Sequence, residues 1–317
     1  MRICVLGAGG VFGINLAQYL LKMGHYVMGI GRSPRKQECF SLGVNFPYHA
    51  YHLTYEHEYA VREIWRFRPD VVVNFAAQGE GAASFGKDNW RYYETNCLGL
   101  VRLLSHLEGL RFIHIGSSEV YGSVNEAVSE HSPTFPSTPY SASKLAFDNH
   151  LVAMHKVMKV PMNIIRPSNC YAPSQQLHRI IPKTLIYGLT NRKVPLHGGG
   201  VAKKSYLHAT DLSRAILTVI EKGKVGEIYN VGPDLPTSIR EVVGLCAVSI
   251  GRSFDSLVEE APERTGQDST YWIDSSKVKA LGWKQEIGWK EGLTDMVKWV
   301  STYPELLTMP TDYVMRA

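Results

Sequence analysis

Short runs of Val, Ile and Leu recur through the first half of the chain, at ICVLG (3–7), YVMGI (26–30), DVVVNF (70–75), RFIHIG (111–116) and MNIIR (162–166), and once more at EIYNVG (227–232). Each is the length of a strand, and most lack the polar alternation of a sheet with one wet face. That pattern suits parallel strands covered on both sides. The stretches between them, 12–23, 56–68, 89–108 and 138–157, carry apolar residues at helical spacing and supply the crossovers. The predicted class is α/β, a doubly wound parallel sheet. After about residue 166 the alternation weakens and Gly- and Pro-bearing stretches such as PLHGGG (195–200) appear, which predicts a second, smaller and mixed lobe. The expected division is 1–166 with 209–232 returning to it, against 167–208 and 233–317.

The first strand runs straight into GAGGVFG, with Gly7, Gly10 and Gly13 three residues apart where a strand turns into a helix. Glycine is required at such a turn because the backbone bends tightly, approaches a pyrophosphate and packs the helix against the sheet. The helix N-terminus then faces the phosphates. This is the start of a Rossmann dinucleotide unit. The second strand ends in GIGRSPRK, which puts Gly31 where a carboxylate would grip a ribose 2′-hydroxyl and Arg32 beside it, with Arg35 or Lys36 in support. Those charges suit a 2′-phosphate, so NADP is the expected cofactor and NAD the alternative.

Composition narrows the partners. The 317 residues are 44% hydrophobic, enough for a large core, and 34 basic against 29 acidic residues leave a net charge of +5 with no long Lys or Arg run. A small anionic ligand is expected, and no nucleic acid. The cysteines Cys4, Cys39, Cys97, Cys170 and Cys246 are scattered and form no CxxC pair, so neither a disulfide framework nor a metal site is expected. The N-terminal apolar run is broken by GAGG, Asn15 and Gln18, unlike a signal peptide, and no later run is long enough to span a bilayer. The expected location is cytoplasmic, without a membrane partner.

Two further segments carry candidate chemistry. GSSEVYG (116–122) follows the fourth strand and presents Ser117, Ser118 and Glu119 at a strand end. In STPYSASK, Thr138 as N-cap and Pro139 at the first helical position start a helix on which Tyr140 and Lys144 lie one turn apart on the same face.

Taken in order, GAGGVFG, NFAAQ (74–78), ETN (94–96), SSEVYG, PYSASK, RPSNCYAP (166–173), YNVG and ERTGQDSTYWIDSSKVKALGW (263–283) make the chain resemble the extended short-chain dehydrogenase/reductase family, and within it the nucleotide-sugar 4,6-dehydratases. The last segments look most like dTDP-glucose 4,6-dehydratase, whereas AAQ and the SSE triplet look closer to GDP-mannose 4,6-dehydratase. The resemblance implies a dinucleotide held by Gly7, Gly10, Val11, Phe12, Gly13, Arg32, Leu53, Ala76, Ala77, Asn96, Tyr140 and Lys144, tightly bound and recycled within each turnover. It implies that Tyr140, as phenolate beside the Lys144 ammonium, takes the C4 hydroxyl proton, that Glu119 removes the C5 proton, and that Ser117 hydrogen-bonds the sugar near O4. Ser118 stands where dTDP-glucose dehydratases carry an aspartate. A nucleotide diphosphate sugar would meet Asn169, Arg179, Lys204 and Arg264 at its diphosphate and ribose, and Gln78, Glu80 and Ser84 at its hexose. His52 replaces an aspartate that usually meets the adenine, and Lys204 replaces an arginine near the phosphates. The family also implies a homodimer through the helices near 89–108 and 138–157. Within the same family, a C4 epimerase, a 4-keto-sugar reductase or a decarboxylase is the alternative activity, and a non-catalytic dinucleotide-binding regulator is the alternative outside catalysis.

Overall fold

The structure, a computed structural model, describes all residues except 35, 80, 264–267 and 314–317. Its first six strands are β1 (Arg2–Leu6), β2 (Tyr26–Gly31), β3 (Tyr48–Ala50), β4 (Val71–Asn74), β5 (Arg111–Ile115) and β6 (Met162–Pro167). With the strand Ile228–Val231 they form one seven-stranded sheet in the order Ile228–Val231, β6, β5, β4, β1, β2, β3. Every pairing in it is parallel.

Alternate residues of the strands enter two separate cores, and both are apolar. Ile3 and Val5 pack with Val73, Ile113 and Ile165 on one face, under the helices Val11–Lys22 and Ala209–Lys222, which bring Ile14, Leu20, Leu212 and Ile216. Cys4 and Leu6 pack with Val72, Phe112 and Ile164 on the other, under the helices His57–Phe67, Gly99–Leu104 and Pro139–Met158, which bring Ile64, Leu103, Phe147 and Leu151. Burial on both faces is why these strands read as continuous apolar runs.

The strand order reverses between β1 and β4, since β1 pairs with both β2 and β4. At such a switch point the loops leaving the carboxyl ends diverge to opposite faces and leave a crevice where ligands bind. The sequence pattern does not mark β3, a three-residue edge strand that is half exposed. The predicted helix 89–108 is interrupted: Trp90–Tyr93 is α-helical, Glu94–Leu98 makes a π-helical turn, and the α-helix resumes at Gly99–Leu104. A π turn rotates the following side chains relative to the preceding ones, and such turns concentrate at functional sites.

The remaining segments carry short mixed strands. Lys203–Lys204 pairs antiparallel with Thr237–Ser238 and parallel with Thr270–Tyr271. Asn169–Tyr171 pairs with Tyr206–His208, and Val194–His197 with Val258–Ala261. Helices Ile180–Leu189, Ile239–Ser249 and Trp289–Thr302 enclose their own core around Leu185, Val242, Cys246, Met296 and Trp299. The Trp299 indole donates to the carbonyl of Cys39 at 2.7 Å, tying this core to the segment after β2. No helix among the described residues is long and apolar enough to cross a membrane.

Candidate active site

The glycine turn is shaped by contacts that leave no room for side chains. Gly7 has φ +75°, and a Cβ there would sit 2.7 Å from the Ala76 amide nitrogen, while a Cβ on Gly13 would overlap the Gly7 carbonyl. Gly10 donates to the Gly7 carbonyl at 2.9 Å and caps the helix Val11–Lys22, whose N-terminus carries no side-chain cap. Val11 packs on Ala172 and Ala209, with Phe12 at its edge, so both fix the direction of the helix. The result is a backbone cradle at a helix N-terminus, the arrangement a pyrophosphate requires.

A cleft of about 490 Å³ opens from this cradle, lined by Gly7, Gly10, Arg32, Leu53, Ala76, Ala77 and Gln78 on one side and by Ser174, Leu177 and Arg179 on the other. At its far end a Cβ on residue 31 would overlap the Tyr48 hydroxyl, which donates to the Ser33 carbonyl at 2.7 Å. Tyr48 thus occupies the space an acidic side chain at position 31 would need. Arg32 and Lys36 line this end, and the pKa of the His52 imidazole beside them is lowered, first by burial and then by Arg32. Position 35 lies outside the described residues.

One buried amide joins this cleft to the helix Pro139–Met158, which carries Tyr140 and Lys144. Asn96, presented inward by the π turn, accepts from the Gln78 amide at 2.7 Å and donates to the Gln78 carbonyl at 3.0 Å and to the Ser143 hydroxyl at 2.9 Å. The helix Pro139–Met158 begins with a reciprocal cap, in which Thr138 accepts from the Ser141 amide and Ser141 accepts from the Thr138 amide, each at 3.1 Å. The Tyr140 amide donates to the Ser84 hydroxyl at 3.2 Å, and Ser84 donates to the Gly81 carbonyl at 2.6 Å. The expected hexose residue Ser84 therefore holds the start of the Tyr140 helix and is itself fully buried.

At the end of β5, Ser117 accepts from the Glu119 amide at 3.2 Å and starts the 3₁₀ turn Ser118–Tyr121. The Glu119 carboxylate comes to rest beside Gly81 and Thr138: a Cβ on Gly81 would lie 2.8 Å from Glu119 Oε2 and 3.6 Å from Thr138 Oγ1. Glu119, Ser84 and the Tyr140 turn thus share one corner. The Ser118 hydroxyl is buried and has no hydrogen-bond partner among the described residues.

Lys144 is 2% exposed, and its ammonium donates to the Ile115 carbonyl at 2.7 Å with His114 Nε2 at 3.4 Å. Burial brings its pKa down to about 8, with Asp148 opposing the shift. Behind it runs a buried network in which Asp148 pairs with Arg166 at 2.9 Å, Arg166 donates to the Tyr121 hydroxyl at 2.9 Å, and that hydroxyl donates to Asn230 at 2.9 Å. Burial, then Lys144 and Arg166, hold His114 well below its ordinary value, so it sits there as neutral imidazole sharing a 3.0 Å hydrogen bond with Asn74. Asp148→Ala leaves Arg166 buried without its carboxylate, and a loss of about 3–5 kcal/mol is expected, read as a lower denaturant midpoint. A midpoint within error of the parent would remove the pair from the stability account.

The expected diphosphate residues divide. Arg179 lines the cleft opposite the glycine turn, and Asn169 begins its strand half-buried. Lys204 is buried off the cleft wall, donating to the Asp268 carbonyl at 2.8 Å and lying 3.5 Å over the Tyr271 ring. Burial takes its pKa down to about 8, against the pull of Glu119 and Asp268. Arg264 and Glu80 lie outside the described residues. Sequence reasoning did not single out Tyr48, Asp268, Tyr271 or the C-terminal Tyr313; Tyr48 and Tyr313 also line the cleft.

A family model described as the NAD dependent epimerase/dehydratase family matches residues 3–232. The dTDP-D-glucose 4,6-dehydratase of Homo sapiens is 34% identical over 239 residues, covering 73% of this chain and 68% of its own length. The dTDP-glucose 4,6-dehydratase of Xanthomonas campestris pv. campestris is 32% identical over 264 residues, 76% of this chain and 75% of the relative. Among solved structures, the dTDP-glucose 4,6-dehydratase DesIV of Streptomyces venezuelae, with NAD bound, superposes with a TM-score of 0.89 at 27% identity, over 96% of this chain and 98% of that one. The UDP-glucose 4-epimerase of Thermus thermophilus in complex with NAD gives 0.87 at 26% identity, over 96% and 100%. Because the match runs from β1 and its glycine turn to the last strand of the parallel sheet, this chain belongs to the NAD-dependent epimerase/dehydratase family.

Proposed function

We propose that the protein is a nucleotide-sugar 4,6-dehydratase, which converts a nucleotide diphosphate hexose to its 4-keto-6-deoxy form with loss of one water. The observation that carries this reading is the Glu119 carboxylate in the same corner as Ser84 and the Tyr140 turn. A C4 epimerase needs a base at one carbon only, whereas elimination across C5 and C6 needs a second. When bound, the nicotinamide accepts hydride from C4 and returns it to C6. Tyr140 takes the C4 hydroxyl proton, with the Lys144 ammonium stabilising the phenolate, and Ser117 hydrogen-bonds the sugar near O4. The ketone acidifies the C5 proton, which Glu119 takes and passes to the departing C6 hydroxyl so that water leaves, and C5 is reprotonated from solvent as hydride reaches C6. Ser118 stands at the second position of this triplet. The segments 1–166 and 209–232 hold the dinucleotide in this reading, and 167–208 with 233–317 hold the nucleotide sugar through Asn169, Arg179 and Arg264, with Gln78 on the hexose side, while the buried Ser84 and Lys204 support the site from behind. Supplied with a panel of sugar nucleotides, the enzyme is expected to give a product lighter by one water, with deuterium from solvent at C5 and no net change in dinucleotide. An epimerase or reductase gives no such product, and that result would overturn the proposal.

The cradle fits a dinucleotide, because the volume that side chains at Gly7 and Gly13 would fill is kept open. We read NADP as the preferred form on the strength of Arg32 and Lys36 at the far end of the cleft and of Tyr48 across Gly31. Arg32→Ala is expected to weaken NADP binding by about 1.5–3 kcal/mol, one charged hydrogen bond, and to leave NAD binding nearly unchanged in a parallel titration. Equal losses for both would return the preference to NAD. The chain is further read as a cytosolic homodimer, its partner seated on the two helices that expose Trp90, Leu98 and Val157. The five unpaired thiols accord with a reducing compartment.

A further inference from the structure

The C-terminal segment does not stay on the surface of the second lobe. After the turn Pro304–Leu307 it runs back to the cleft, where Met309, Pro310, Asp312 and Tyr313 form part of the same wall as Gly7 and Arg32. It is anchored on the helix Ile180–Leu189. Thr311 is 4% exposed and shares a 3.0 Å hydrogen bond with the Tyr187 hydroxyl, and Lys183 lies 4.0 Å from Asp312. Its tip reaches the opposite bank. The Tyr313 hydroxyl accepts from Gln78 Nε2 at 3.3 Å and lies 3.5 Å from both the Gly79 carbonyl and the Tyr92 hydroxyl. The Tyr313 ring stands edge-on to His178 at 5.2 Å. Tyr92 in turn stands edge-on to Tyr140 at 6.3 Å, so the tip of the segment comes down next to the catalytic helix.

We infer that Tyr313 is a ligand-retaining residue: the segment Met309–Tyr313 is a clasp that bridges the two banks of the cleft and holds the dinucleotide in place through each turnover. This rests on the reading of the cleft as the dinucleotide site. The contacts at the two ends differ in kind. Thr311 is packed and buried, which makes a fixed hinge, whereas Tyr313 meets the far bank through long hydrogen bonds between neutral groups. Such bonds exchange readily with water, so the tip opens far more easily than the anchor. A reaction that withdraws hydride from one carbon and gives it back to another carbon of the same sugar gains from that arrangement, because the reduced dinucleotide has to stay through the elimination.

The test loads the full-length protein with NADPH, adds a large excess of NADP, and follows the loss of bound-NADPH fluorescence. Two variants are compared with it, Tyr313→Ala and a chain ending at Thr311, which keeps the buried anchor. Both are expected to release NADPH at least tenfold faster while melting at the parent temperature without ligand. Release at the parental rate in Tyr313→Ala overturns the clasp. So does a lower KM for the sugar nucleotide with unchanged NADPH release, which would make the segment a plug on the sugar site. If the parent protein holds NADH and not NADPH, the same comparison is run with NADH against excess NAD; if it holds neither, the dinucleotide reading fails first and the clasp falls with it, a result distinct from equal release rates.

Discussion

Glu119→Gln is expected to oxidise its substrate at C4 and then stop, with the reduced dinucleotide accumulating on the enzyme. Glutamine keeps the shape of the side chain and can still lie beside Gly81 and Thr138, but it cannot accept the C5 proton. Loss of a general base costs about a hundredfold to ten-thousandfold in rate. The first hydride transfer does not depend on that base, so a single-turnover trace at the reduced nicotinamide absorbance should rise to a plateau instead of passing through a transient. Dehydration at close to the parental rate would reduce Glu119 to a turn residue.

Tyr140→Phe is expected to abolish every step, including the first. Oxidation at C4 needs a group to take the hydroxyl proton as hydride departs, and phenylalanine removes that group while leaving the ring in place. The expected fall is about a hundredfold to ten-thousandfold, with no reduced dinucleotide at any time. Binding should survive, because the start of the helix is held by Thr138, Ser141 and Ser84 through bonds to the backbone, none of which uses the Tyr140 hydroxyl. Calorimetric titration with a sugar nucleotide that binds the parent separates these outcomes. The two variants are therefore distinguished by colour, one trapping the reduced cofactor and the other never forming it, and residual dehydration in Tyr140→Phe would remove Tyr140 from its role.

What was legible in the sequence follows from short-range physics. The six apolar runs became strands because Cys4 and Leu6 face one core and Ile3 and Val5 another, so both faces are mostly apolar and the polar residues that do enter, such as His114 and Arg166, are hydrogen-bonded. The glycine turn was legible because Gly7 and Gly13 answer to contacts within a few residues of the first strand and its neighbour β4. The Thr138 cap and the Tyr140–Lys144 spacing are likewise local. The missing parts depend on distant partners. Strand β3 is too short and too exposed to leave a period, and the π turn at Glu94–Leu98 is set by the demand to turn Asn96 inward onto Gln78 and Ser143. Lys204 reads as a phosphate ligand until Tyr271 and Asp268, more than sixty residues on, are seen to bury it. Nothing in the residues around Tyr313 points to Gln78, 235 positions away.

The aromatic ring laid across Gly31 constrains the order in which this chain can change its cofactor. An acid at position 31 would collide with the Tyr48 hydroxyl, so the single substitution that converts other dinucleotide sites meets an occupied space here. Removing Tyr48 first would uncover the end of β2 and break the hydrogen bond to Ser33 before any new contact to a ribose existed. One step alone forces an overlap and the other alone breaks a hydrogen bond, so the two positions on neighbouring strands are coupled. A lineage carrying this pair therefore keeps the end of β2 as it is unless both positions change together.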